Sequence, residues 1–72
     1  MTSIDKLISE ATALGFVEKE LSVVRAEYEF SLAVYLNGRD ANTHAVLMQG
    51  RDYAEAMTRK YIRSTIDGWQ KK

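Results

Sequence analysis

The residues with the plainest chemistry open to them are Arg59, Lys60 and Arg63, in the run RKYIRSTIDGWQKK. Cations so spaced neutralise phosphates, and an aromatic ring nearby offers a face on which a base can stack, the pairing used to hold single-stranded nucleic acid. Tyr28, Tyr35, Tyr53, Tyr61 and Trp69 supply rings. A helical core would consume Tyr28, Tyr61 and Trp69, which leaves Tyr35 and Tyr53 for the surface and makes Tyr53, Arg59, Lys60 and Arg63 the nucleic-acid candidates. The bland account is a solvated basic helix face.

His44 is the only histidine. A lone imidazole without cysteine or clustered carboxylates makes no metal site, and a place early in a helix disfavours its charged form. No GxSxG, P-loop, HExxH or CxxC pattern occurs, so the reading is of a protein that is not an enzyme, with no catalytic, metal or cofactor-binding residues and no cofactor.

What must position any surface is a small fold. The 72 residues allow one domain, 1–72, and a chain this short buries a modest core without a staple or a partner. There are no cysteines and no prolines, and 46% of residues are hydrophobic, which is too apolar for disorder. The absence of cysteine fits a reducing compartment. No apolar run reaches membrane-spanning length, and the amphipathic start MTSIDKLISEATALG does not read as an export signal, so the expected location is the cytoplasm, away from any membrane.

The formal net charge is zero, yet it is segregated: residues 1–36 hold three cations and six anions, whereas Arg51 onward holds six cations and three anions. Halves of opposite sign attract one another within a chain or between chains.

The stretch AEYEFSLAVYLNG, Ala26–Gly38, alternates apolar and polar residues as a strand would, but Val17, Leu21, Val24, Tyr28, Leu32 and Tyr35 also follow the helical period. From Val17 to Leu36 there is no Gly, Pro, Asn or Asp to turn a hairpin, and a single strand of that length is rare. The expected class is therefore all-α, an antiparallel helical hairpin or small three-helix bundle. The alternative is an α+β, α-β-β-β-α sandwich with strands near 16–24, 26–36 and 43–49. Upstream, Thr2 and Asp5 resemble a capping box, and a stripe Leu7, Ala11, Leu14, Val17, Leu21, Val24, Tyr28 runs through Gly15, which either breaks or bends the helix.

LNGRDAN, Leu36–Asn42, is the one clear reversal, with Gly38 ending one helix and Asp40 or Asn42 capping the next. Helix resumes from Thr43 to about Trp69, with Leu47, Gly50, Ala54, Met57, Tyr61 and Thr65 on one face. Folding back about Arg39 pairs Leu32 with Leu47, Tyr28 with Gly50, Val24 with Ala54, Leu21 with Met57, Val17 with Tyr61 and Ala11 with Trp69, large residues over small ones.

The segment EKELSVVRAEYEFSLAVYLNGRDAN, Glu18–Asn42, resembles the central part of small helical proteins of unknown function encoded by phages, in which a charged, Ala-rich helix precedes a polar turn and a second long helix. The segment NTHAVLMQGRDYAEAM departs from that pattern in its low charge and in Gly50. The resemblance implies a phage accessory protein, working in the host cytoplasm, and transfers no catalytic residue.

A hairpin seam leaves Ile8, Phe16, Val23, Phe30, Val34, Val46, Ile62 and Ile66 without cover, although a helix over residues 3–14 would take some of them. The surplus points to a protein-binding or self-associating module with Phe16, Val23, Phe30, Val34, Ile62 and Ile66 as contact residues. Its partner would be a protein, such as a host factor or defence component that it inhibits, or a second copy in a homo-oligomer. The alternative is a nucleic-acid-binding accessory protein of phage replication or recombination.

Overall fold

The computed structural model describes residues 3–70, and all regular structure in that range is helical: α1 (Ser3–Ala13), α2 (Glu18–Leu36) and α3 (His44–Gln70). The three pack as an elongated all-α bundle of 43 × 23 × 16 Å. Residues 18–36 are one helix, so the apolar alternation of Ala26–Gly38 belongs to a helix with apolar residues on more than one side. Thr2, the proposed capping residue of α1, lies outside the described residues.

Gly15 is a turn, not a bend. Its φ of +104° is a left-handed conformation that glycine adopts without a Cβ penalty. The Gly15 N–H donates to the Thr12 carbonyl and the Phe16 N–H to the Ala11 carbonyl, both at 3.1 Å, the paired bonds that close a helix in a Schellman motif. The accompanying apolar contact is present, since Phe16 and Ala11 share one buried cluster. This turn ends the phase of the stripe, so Leu14 and Val17 are exposed instead of lying in the seam, and Phe16 enters the core. A Cβ at Gly15 would meet no atom within 4 Å, so Gly15→Ala should lower stability through backbone strain alone, by about 1 kcal/mol, readable as a lower urea midpoint with an unchanged slope.

Val17 precedes α2 and has no side-chain acceptor; the cap is the single bond from its N–H to Glu20 Oε1 at 3.1 Å. At the far end, Asn37 (φ −60°, ψ 121°) and Gly38 (φ +78°) form the central pair of a type II turn, closed by the Arg39 N–H on the Leu36 carbonyl at 2.9 Å. Asp40 braces the rest of the loop, accepting from the Asn42 N–H at 3.0 Å and the Thr43 hydroxyl at 3.2 Å. The residue before α3 is Thr43, whose carbonyl receives the Leu47 N–H, so neither Asp40 nor Asn42 is the cap.

The buried seam of α3 is Gly50, Ala54, Thr58 and Ile62, spaced by four. It lies one step round from the expected face because α3 contacts two neighbours, α1 and α2, and its centre points between them. Thr58 is fully buried and satisfied by donating to the Ala54 carbonyl at 2.7 Å.

The register also differs from the fold about Arg39. Gly50 faces Leu32, Tyr35 and Leu36, and Tyr28 clusters with Leu7 and Ala54, so α3 is displaced by about one turn relative to α2. The seven-residue loop 37–43 does not fold symmetrically about its middle: its first half is a tight turn and its second an Asp40-braced arc. Large over small survives the shift, with Leu32, Tyr35 and Leu36 over Gly50 in place of Tyr28.

Candidate interaction surface

α1 decides which apolar residues remain available. It covers the hairpin through two clusters, Leu7 with Tyr28 and Ala54, and Ala11 with Phe16, Val24 and Ile62; Ile4, Ile8, Leu21, Leu32, Tyr61 and Ile66 pack against them. Phe16 and Ile62 are therefore core residues at 4% and 6% exposure, not contact residues, and Ile66 is half-buried against the same cluster. The hairpin seam alone could not bury them. The eleven residues of α1 span about 16 Å, enough to cover this part of the bundle and no more.

Val23, Phe30 and Val34 stay outside, at 46%, 67% and 48% exposure. With Ala26 and Ala33, also exposed, they fall within about 100° of the α2 circumference, on the side turned away from the buried Val24, Tyr28 and Ser31. α2 is thus apolar on its core face and again on its outer face. Burying apolar area contributes roughly 25 cal/mol per Å², and Phe30 presents one of the largest side chains available for it. Glu27 and Glu29 border the stripe on either side.

A second surface lies where α1 ends against the last turns of α3. It is an open cleft of about 840 Å³ with Leu14, Ile62 and Ile66 as its apolar lining and Lys60 and Arg63 as exposed cations beside them. Arg59 and Glu10 also line it but hold one another, Arg59 Nη2 to Glu10 Oε1 at 3.4 Å, while Arg59 Nη1 donates to Glu55 at 2.9 Å. The Arg59–Glu10 pair joins the basic and acidic halves as their charges suggest, while Arg59–Glu55 is an i,i+4 pair within α3, and each contributes no more than about 1 kcal/mol.

Of the nucleic-acid candidates, Arg59 is thus engaged by carboxylates, and Tyr53 lies elsewhere. Its ring packs on Tyr35 with centroids 5.5 Å apart, near the interhelical loop, where Arg39 caps the Tyr35 ring at 4.3 Å and the Tyr35 hydroxyl donates to Gln49 at 3.0 Å. Arg63 is ten residues along α3 from Tyr53, about 15 Å. Lys60 and Arg63 have no ion pair among the described residues. Trp69, expected near Ala11, tilts against Phe16, which shares a cluster with Ala11, at a centroid distance of 5.0 Å and is 38% exposed. His44 is exposed at the start of α3.

Among the described residues no group of three or more His, Cys, Asp or Glu is placed to hold a metal, and no helix is long and apolar enough to cross a membrane. The outer stripe of α2 was recoverable from the residues, since Val23, Phe30 and Val34 could be named as surplus; the cleft was not, because it exists only once Gly15 turns the chain and sets Leu14 beside α3. Compared with known proteins, the chain matches no family model, no curated protein and no solved structure.

Proposed function

We propose that this chain is a small protein-binding module, without enzymatic activity, that engages another protein through the outer face of α2. The observation that supports this most is the continuous exposed stripe of Val23, Ala26, Phe30, Ala33 and Val34 on a helix whose opposite side is already committed to the core. A helix apolar on more than one side leaves hydrocarbon in water until a partner covers it. With the resemblance of residues 18–42 to phage-encoded helical proteins, the reading is of an accessory protein acting on protein targets in the cytoplasm, a host or defence factor among them.

Phe30→Glu combined with Val34→Glu tests it. Both positions are exposed, so helix content by circular dichroism should survive while association is lost, whether the partner is a captured protein or a second copy seen by sedimentation. Association of the unsubstituted protein should persist in high salt, because apolar burial is not screened. Nucleic-acid binding would behave oppositely, falling steeply with salt as counterions are released. No oligonucleotide binding is expected at physiological salt; tight, salt-sensitive binding by the monomer would overturn the proposal and return Tyr53, Arg59, Lys60 and Arg63 to the front.

A further inference from the structure

We infer that the occupant of the α2 stripe is the α1/α3 cleft of a second copy of this chain, so that copies join head to tail. The inference rests on the protein-binding reading and adds the identity of the partner surface. Two features of the molecule are complementary in shape. The stripe is a ridge, with Phe30 two-thirds exposed as its summit, running about 16 Å from Val23 to Val34. The cleft is a hollow of about 840 Å³ that follows α3 from Arg59 to Asp67, about 12 Å, and offers the exposed Leu14 and the half-buried Ile66 to an incoming ring above the buried Ile62.

They are also complementary in charge. Glu27 and Glu29 border the ridge, and Lys60 and Arg63 border the hollow with no ion pair among the described residues. Asp67 lines the hollow as well, and Lys19 lies one turn before the ridge, so the ends of the pairing carry the reverse signs in the same sense of complementarity. A symmetric pairing of two α2 stripes, the commonest kind of homodimer contact, fails on this point. With the two-fold axis near residue 28, the midpoint of the stripe, Glu27 would approach Glu27 of the other copy and Glu29 its own equivalent, and like charges across an interface are penalised.

Ridge and hollow are on different sides of the bundle, since the ridge points away from α1 and α3 and the hollow is made by them. One copy can therefore use both at once. A heterologous contact of this kind propagates instead of stopping at two.

The test is a mixing experiment by sedimentation, with circular dichroism to show that each variant is folded. Phe30→Glu removes the ridge; Lys60→Glu with Arg63→Glu reverses the hollow, and Leu14→Glu, at another exposed position, is an independent hollow variant. The unsubstituted protein should grow in mass with concentration past twice its 8.2 kDa. Each variant alone should remain at 8.2 kDa, and a ridge variant mixed with a hollow variant should form a species of twice that mass and no larger, because one intact ridge then meets one intact hollow. Association of the hollow variants by themselves, or no association in the mixture, overturns the inference. A monomeric unsubstituted protein also overturns it; if that monomer still captures another protein in a Phe30-dependent way, the protein-binding reading stands, and if it captures none, both fall.

Discussion

Leu7→Ala should destabilise the protein by about 2–5 kcal/mol, the cost of removing a fully buried leucine from a packed site. Leu7 is the side chain through which α1 reaches the middle of the hairpin: it is completely buried and shares a cluster with Tyr28 of α2 and Ala54 of α3. The neighbours have little freedom to close the cavity, because the methyl of Ala54 has no rotamer to change and Tyr28 is itself 6% exposed. In a domain of this size each kcal/mol lowers the melting temperature by about 4–8 °C, so the effect should be plain in a thermal scan followed by circular dichroism. Ser9→Ala, on the exposed side of the same helix, is the control and should shift stability by less than about 0.5 kcal/mol. A Leu7→Ala loss below about 1 kcal/mol would mean that α1 is docked too weakly to belong to the cooperative unit, and Phe16 and Ile62 would return to the set of exposed apolar residues.

That dependence on α1 explains what could and could not be read from the residues. The helical nature of 18–36 was legible because an absence decided it: a twenty-residue span without Gly, Pro, Asn or Asp has nowhere to reverse as a hairpin and is long for a single strand, which favours helix over the sandwich alternative. The turn at Gly15 was not, since the apolar spacing runs through it in phase and only its φ of +104° and the two bonds from Gly15 and Phe16 resolve break from bend. The candidate interaction residues divide along the same line. Val23, Phe30 and Val34 are outside whatever α1 does, because they lie on the side of α2 opposite both neighbours. Phe16 and Ile62 depend wholly on whether α1 folds back, a long-range packing outcome that periodicity does not encode. The register departs from a pairing centred on Arg39 for a further reason: the chain reverses in a tight turn at Asn37–Gly38, not at the middle of the loop, and then spends five residues in an arc braced by Asp40 before α3 starts.

The largest consequence of that register is at Gly50. Gly50→Leu should destabilise the protein by about 1–3 kcal/mol even though leucine is intrinsically better than glycine in a helix by roughly 0.8 kcal/mol. A Cβ at this position would lie 3.1 Å from Leu32 Cδ1 and 3.2 Å from both Leu36 Cδ2 and Tyr35 Cδ1. Gly50→Ala therefore sets two comparable effects against each other, a gain in helix propensity and a crowding that the flexible leucine ends can relieve, and should change little. Leucine adds three more carbons to the same space, where Tyr35 is held by Gln49, Tyr53 and Arg39 and cannot swing aside without losing those contacts. The size of the drop measures the packing, and its partner identifies the register. Adding Leu32→Ala should recover part of the stability lost to Gly50→Leu, because the truncated side chain vacates the space the new one needs, so the two changes will be non-additive by about 1 kcal/mol or more in a double-mutant cycle. Tyr28→Ala should give no such recovery, since Tyr28 packs a turn away with Leu7 and Ala54. Recovery by Tyr28→Ala and not by Leu32→Ala would move α3 back by one turn and replace the pairing described above with one centred on Arg39.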